Sequence, residues 1–318
     1  MTRTETEAMA SSYYSIFKVG TPVERRENFQ TYYDFTRGHS GELLEQDRDM
    51  TRKRDILRAF QNNPVRARRP FAQADAFYRN YVTFTDDPAS LDRRSLLFTT
   101  LYKFARHEWV GISGAWDTTP TLAQAKNVTD RISRCHLAEE FSHVRLFHEM
   151  FRTMNLEDVQ WKPLGPVMQR VYRIFPRLPG FLMNAPAFVT ELMGMVFYCH
   201  IDALLDNMLA DEPEARDRIR SLLHEIMIDE LAHVGQRRNF IGPVGTRFAR
   251  WMVGPLFRAF FRDIPESRFI VDVERMIRDA LAFDYSMVPA DMIAQSWVPT
   301  YCKGRADTVS VSGAAAQG

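Results

Sequence analysis

The sequence reads HLAEEFSH at residues 136–143 and DELAH at residues 229–233, and each stretch contains the pattern Glu-x-x-His. The pattern occurs nowhere else in the 318 residues. Residues three positions apart lie on one face of an α-helix, so the carboxylate and the imidazole of each pattern can bind the same metal ion. Roughly one such pattern is expected by chance in a chain of this size, so the pair needs support from its surroundings. The four residues concerned are Glu140, His143, Glu230 and His233.

That support comes from a glutamate that precedes each pattern by about one helix length. Glu108 and Glu191 both lie on helical faces that are otherwise apolar. A bare carboxylate in a core costs on the order of several kcal/mol or becomes protonated. Four converging carboxylates would also repel one another, whereas two divalent cations would neutralise them and accept both imidazoles. The sequence therefore predicts a metal centre with these six side chains as ligands.

The remainder of the chain predicts an all-α protein. Only 15 Gly and 16 Pro interrupt it, and its apolar residues recur every three or four positions. A segment rich in proline and glycine, 155–179, separates two helix pairs, which is typical of a ferritin-like bundle with one long crossover. We expect a ferritin-like four-helix core at about 90–241 with additional N- and C-terminal helices, all in one domain, 21–304, between flexible tails at 1–20 and 305–318. Helices are predicted near residues 41–61, 71–84, 90–115, 120–154, 181–209, 213–241, 247–262 and 268–284.

The order of these motifs resembles the ferritin-like di-iron oxygenase superfamily, and the length is most similar to the p-aminobenzoate N-oxygenase group. The likeness covers about half of the chain, and it consists of a Glu, an interval, a Glu-x-x-His and then the same series again. It implies a half-site formed by Glu108, Glu140 and His143. It implies a second half-site formed by Glu191, Glu230 and His233.

What the resemblance implies for activity is reductive activation of O2 at two irons and oxidation of a small organic substrate, in the first instance N-oxygenation of an arylamine. Manganese in place of one iron is left open, and the electrons would come from an external donor such as a reductase or a ferredoxin. Two alternatives remain: a C–H hydroxylase or desaturase acting on a lipid-like or carrier-bound chain, and an iron-handling ferroxidase.

The sequence departs from the N-oxygenase pattern at one ligand position. Members of that group carry a further histidine four residues before the last glutamate, where this chain has Ile226. His136 instead lies four residues before Glu140, on the face of the first pattern. It is either a displaced seventh ligand or a hydrogen-bonded histidine of the core, and the second interpretation is the commoner fate of a single histidine.

Four further residues lie close to the predicted ligands in sequence. Tyr198, seven residues after Glu191, returns to the same helical face and can approach the metals. Arg237 shares the face of Glu230 and is suited to an anionic substrate group, to a carboxylate beside the metals or to a plain salt bridge. The acids directly before the two patterns point away from the metal face, towards solvent or towards the second nitrogen of a histidine; they are Glu139 and Asp229.

Charge and cysteine content limit the partners and the compartment. The chain has 41 Lys and Arg against 40 Asp and Glu, a net charge of +1, so no nucleic-acid partner is expected. Its three cysteines show no paired spacing, which favours a reducing cytoplasm. No apolar run suitable for a secretory signal occurs at the start of the sequence, and no transmembrane segment is expected because charged residues interrupt the most apolar window, 188–205.

One segment leaves a second kind of contact open. Residues 246–262 are aromatic on one side and carry four arginines, so they form either a helix packed on the bundle, which we favour, or a membrane-surface helix. A small-molecule substrate is expected in either case. A homodimer is an open alternative.

Overall fold

The computed structural model describes residues 13–304, which form α-helices joined by turns, 3-10 segments and one very short pair of strands. The predicted all-α class is confirmed. The strands β1 (Leu43–Leu44) and β2 (Asp49–Met50) pair antiparallel. The helices are α1 Pro22–Ser40, α2 Thr51–Asn62, α3 Ala74–Asn80, α4 Arg93–Trp116, α5 Val128–Thr153, α6 Pro166–Ile174, α7 Gly180–Met208, α8 Pro213–Asn239, α9 Pro243–Arg262, α10 Val273–Ala282 and α11 Ala290–Gln295.

Side-chain caps determine where the two helices before the crossover begin. The carboxylate of Asp92 accepts a hydrogen bond from the backbone N–H of Ser95 at the start of α4. The amide oxygen of Asn127 accepts from the N–H of Asp130 at the start of α5. Each cap satisfies a backbone donor that has no partner within the helix. The start predicted at residue 120 is therefore wrong by eight residues, because the cap and not the preceding proline sets the boundary.

Four long helices pack side by side into a helical bundle. α4 packs on α5, α5 packs on α8, and α7 packs on α8. The bundle closes through aromatic contacts between α4 and α7, where the rings of Phe104 and Phe197 stack with 4.2 Å between centroids. The predicted crossover lies between α5 and α7 and contains one short helix of its own, α6, which packs against α4.

Helix α1 was not predicted, although it packs on α5 and α8 directly over the metal-site motifs. Its buried face is mostly polar, so it has no apolar stripe that periodicity can detect. Its start nonetheless carries a sequence signal, because Thr21 and Glu24 form a capping box around the first turn, which begins at Pro22. The buried residues of α1 are Asn28, Tyr32, Thr36 and Ser40.

The packed part of the chain begins before residue 20. Ile16 is fully buried, and Tyr13 forms a β-bridge with Lys303. The buried Arg238 donates hydrogen bonds to the carbonyl oxygens of Ile16 and Lys18. The predicted N-terminal tail is thus packed from residue 13 onward, whereas its first twelve residues and the predicted C-terminal tail, 305–318, lie outside the described residues.

Helices α7 and α9 form the most apolar layer. Helix α7 is long and apolar enough to cross a membrane, but 61% of its most apolar window is buried inside the fold. Helix α9, which contains the segment 246–262, packs against α7 and α10, and its buried face includes Ala249, Val253 and Phe257. The structure therefore shows the favoured packing on the bundle for one face of this segment.

Candidate metal centre

Carboxylates and imidazoles from three bundle helices meet in two groups at the centre of the bundle. The first group consists of Glu140, His143 and Glu230, all buried. The second joins Glu140 to a further glutamate and two histidines. Within each group the candidate ligand atoms lie within 4.8 Å of one another. The members of the second group are His136, Glu140, Glu191 and His233.

The first group contains one histidine between two glutamates. Nδ1 of His143 lies 3.4 Å from Oε2 of Glu140 and 3.3 Å from Oε1 of Glu230. The second glutamate comes from α8 and the other two residues come from α5, so the group joins both pattern helices.

The second group contains two histidines and the other oxygen of Glu140. Nδ1 of His233 lies 3.0 Å from Oε1 of Glu140, and Nε2 of His136 lies 3.5 Å from the same oxygen. His136 also faces Glu191, with 3.2 Å between Nε2 and Oε1. The two oxygens of Glu140 thus face different groups, which is the geometry of a carboxylate that bridges two ions.

The pairing of residues differs from the half-sites that the resemblance implied. Glu230 groups with His143 of the other pattern and not with His233 of its own. His136 lies in the centre and lines the same space as the glutamates, as the seventh-ligand interpretation requires. Neither fact follows from spacing within a helix, because spacing does not say which residues face one another across the bundle.

The acids that precede the patterns hold the far nitrogens of the histidines crosswise. Oε2 of Glu139 on α5 lies 2.9 Å from Nε2 of His233 on α8. Oδ2 of Asp229 on α8 lies 3.0 Å from Nε2 of His143 on α5. Each contact fixes the ring orientation and leaves Nδ1 directed at the carboxylates, as in metal sites where a carboxylate orients a ligating histidine.

The polar face of α1 completes these outer contacts. The hydroxyls of Ser40 and Thr36 donate to Oε1 of Glu139 at 2.5 and 3.3 Å. On the other side, Nζ of the buried Lys53 lies 2.6 Å from Oδ1 of Asp229, and His39 lies 3.2 Å from the same oxygen. The sequence showed none of these partners, and His39 lies near the C-terminal end of α1.

Glu108 reaches the edge of the centre and belongs to neither group by distance. Its Oε1 accepts a hydrogen bond from the hydroxyl of Tyr198, whereas its Oε2 is buried without a hydrogen-bond partner. Tyr198 therefore contacts the centre through Glu108, the predicted ligand from α4. Arg237 donates to Oε1 of Glu191 at 3.3 Å, so of its predicted roles the structure contains the contact with a carboxylate of the centre.

Burial and mutual charge divide the carboxyl groups into two kinds. Burial and the charge of Glu140 raise the pKa of Glu230 to about 8 and that of Glu108 well above its usual value. Burial acts in the same direction on Glu140, but the facing His143 and His233 outweigh it and hold its pKa well below the usual range. The facing carboxylates in turn raise the pKa of both imidazoles well above normal, against the effect of burial. Protons on Glu108, Glu230 and the two imidazoles thus balance the charge of the metal-free centre, and bound cations would take their place.

Unpaired buried atoms test whether a metal fits this centre. Nδ1 of His143 and Nδ1 of His233 are buried and form no hydrogen bond, although carboxylate oxygens lie within 3.4 Å. Buried polar atoms without a partner are rare and costly. The candidate ligand atoms are all oxygen or nitrogen. Such a set suits iron or manganese better than a soft metal ion that prefers thiolate ligands. The residues present therefore fit a pair of such ions.

A cavity of about 180 Å³ lies against the centre. Its polar wall carries the carboxylates and His136, and its opposite wall is mostly apolar and aromatic. Tyr172 of α6 closes one side and is held there by His107, with 3.0 Å between the hydroxyl and Nδ1. The apolar wall includes Phe104, Ile112, Phe175, Ala187, Met193 and Phe260.

Comparison of the chain with family models, with curated proteins and with solved structures found no match.

Proposed function

We propose that this protein is a non-haem di-iron oxygenase whose centre is built on a ferritin-like four-helix bundle of α4, α5, α7 and α8. The observation that carries the proposal is the position of Glu140, whose two oxygens face two separate groups of ligands. A bundle in which each pair of helices supplies glutamates and a Glu-x-x-His is the arrangement of carboxylate-bridged di-iron proteins.

One ion would be held by Glu140, His143 and Glu230, with Glu108 at the edge as a further carboxylate. The other would be held by the group that contains His136 and Glu191. Four carboxylates would balance the charge of two divalent cations. When bound, two irons would supply the reductive activation of O2, with electrons from an external reductase or ferredoxin.

Residues of this chain would orient the metal ligands, balance the charge of the ions and exclude water from the site. Glu139 and Asp229 hold the two histidine rings so that Nδ1 faces inward. Arg237 holds the carboxylate of Glu191, which also faces His136. The aromatic wall would keep water away from bound ions and would position a substrate beside them.

The size of the cavity favours a small ring as substrate. A cavity of about 150 Å³ is enough to bind benzene, so this one, which also includes space beside the ligands, is suited to a single substituted ring. N-oxygenation of an arylamine is therefore our first specific proposal. A C–H hydroxylase of lipid-like molecules is the second, and the exposed apolar side chains beside the cavity favour it. The aromatic wall favours an organic substrate over the ferroxidase alternative, because oxidation of iron alone needs no apolar pocket.

Metal content tests the proposal most directly. We expect two irons per chain after anaerobic reconstitution, measured by elemental analysis, and an absorbing species on O2 exposure that decays faster with an arylamine or with a lipid-like substrate. Glu140→Gln should abolish binding of both ions. Glu149→Gln is the matched control, because Glu149 is a buried glutamate of the same helix that pairs with Arg152 outside the centre. Growth of a mineral beyond two irons would support the ferroxidase, and a protein that binds no metal would overturn the proposal.

A further inference from the structure

Exposed apolar side chains lie at the end of the crossover helix and at the start of α7. Phe181 is 80% exposed, and Ile174 and Leu182 are about half exposed. These residues lie on α6 and on the first turn of α7. Single exposed apolar residues are common, but a contiguous run of them marks a surface that meets another molecule.

A second set of exposed apolar side chains lies on the first half of α9. Val244 and Trp251 are 79% and 68% exposed, and the ring of Phe248 stacks on that of Trp251 at 5.7 Å. The face of α9 that packs on α7 is a different one. This helix therefore has a buried apolar face and a second, uncovered one within the described residues.

Both sets lie at the same end of the molecule. Near the start of the two helices, Phe17 contacts Phe188 of α7 and Arg250 of α9. Further along, Phe197 of α7 contacts Phe261 of α9. The helices therefore run side by side in the same direction, and their exposed starts are neighbours. The last turn of α6 lies beside α7, because Tyr172 and Ala187 line the same cavity. We call the two helix starts together with this turn, 171–174, the apolar end.

The apolar end is also strongly basic. No acidic residue occurs in 166–190 or in 243–257, whereas these two stretches contain three and two arginines. The whole chain has a net charge of only +1, so the positive charge is concentrated here. Exposed arginines occur close in sequence to these apolar side chains, in the crossover and on α9; they are Arg170, Arg173, Arg177, Arg247 and Arg250.

We propose that the apolar end docks on an anionic lipid bilayer. Aromatic and aliphatic side chains next to arginines are the composition of helices that lie in the membrane interface, with apolar groups among the acyl chains and cations at the anionic headgroups. An acidic protein partner would match the charge, but it would bury Phe181 and Trp251 no better than lipid does. Because the exposed residues sit on the starts of two parallel helices and on a short crossover helix, they can enter a flat surface together.

The docking places one wall of the cavity close to the lipid surface. Phe175 and Pro176, which line the cavity, lie a few residues before the exposed Phe181 at the start of α7. A substrate dissolved in the bilayer would then reach the centre without crossing water. This statement about the substrate rests on the proposed oxygenase function, whereas the lipid contact itself does not.

Vesicle co-sedimentation of the full chain tests the proposal. We expect binding to vesicles of phosphatidylcholine with phosphatidylglycerol, at least tenfold weaker binding to phosphatidylcholine alone, and weaker binding at high salt. The double variant Phe181→Ser, Trp251→Ser should reduce binding at least tenfold. Phe269→Ser is the matched control, because Phe269 is 40% exposed outside the apolar end. Circular dichroism and metal content establish that each variant is folded.

The outcomes separate this proposal from the metal chemistry. Glu140→Gln should lose metal and keep vesicle binding, and the double variant should lose vesicle binding and keep metal. Binding that is equal in the double variant and in wild type overturns the lipid contact. A second outcome would also overturn it: wild type sediments as a dimer that does not bind vesicles, and the double variant sediments as a monomer. The apolar end would then contact a second copy of this chain.

Discussion

Glu139 contacts His233 across the bundle, with 2.9 Å between Oε2 and Nε2, although it directly precedes a ligand of its own helix. Asp229 repeats the relationship in reverse with His143. Each pattern helix thus supplies candidate ligands to the centre and also orients the histidine of its partner. Because α5 and α8 each supply both candidate ligands and an orienting acid, all of these contacts form together in only one register of the two helices.

The crossed contacts predict a loss of metal affinity without loss of the ligands. Glu139→Gln removes the charge that holds His233 and keeps a side chain of the same size. Loss of such an outer partner typically costs about 10–100-fold in metal affinity, and we expect that range in competition with a chelator. Glu149→Gln should leave the affinity unchanged, and an unchanged affinity in Glu139→Gln would contradict the orienting role.

The two outer acids should differ in their effect on stability. Besides the histidine that each acid orients, Asp229 pairs with Lys53, whose exposure is 3%, whereas Glu139 accepts hydrogen bonds from neutral hydroxyls. Removing one member of a buried ion pair costs about 3–5 kcal/mol because the other charge stays buried. Chemical denaturation of the metal-free protein should therefore show a larger loss for Asp229→Asn than for Glu139→Gln. The double variant Asp229→Asn, Lys53→Met should recover most of the difference, and no recovery would argue against the pair.

His136 decides between a six-residue and a seven-residue ligand set. Its Nε2 lies 3.2 Å from Glu191 in the group that also contains His233. We expect His136→Ala to weaken or abolish binding of one of the two irons, which elemental analysis and the absorption spectrum would report. His148→Ala is the control, since His148 lies on the same helix and contacts the carbonyl oxygen of Val159. Two tightly bound irons in both variants would show that His136 is a hydrogen-bonded histidine of the core and not a ligand.

Metal binding should release protons, and the number should depend on pH. The pKa of Glu230 is about 8 in the metal-free protein, so at pH 7 this group holds a proton that a metal would displace. Above pH 8 the group is already ionised, and its contribution to the release disappears. Titration with Fe(II) or Mn(II) in weak buffer with a pH indicator should therefore show fewer protons per metal at pH 9 than at pH 7. Equal release at the two values would contradict the raised pKa.

Local sequence patterns predicted the bundle helices and the motif residues, but they missed α1. The packed face of α1 consists of Asn28, Thr36 and Ser40 together with one tyrosine. Hydrophobic periodicity reports apolar faces only, so a helix that covers a polar centre with hydroxyls is invisible to it. The capping box of Thr21 and Glu24 was the signal that remained.

The sequence by itself determined which residues can act together on one helical face, because that depends only on the turn of an α-helix. Glu140 with His143 and Glu230 with His233 are pairs of this kind. The tertiary structure alone decided that Glu230 faces His143 and that Asp229, 86 residues away, holds the same ring. Contacts between helices depend on how whole faces pack, and no spacing along one chain segment encodes that arrangement.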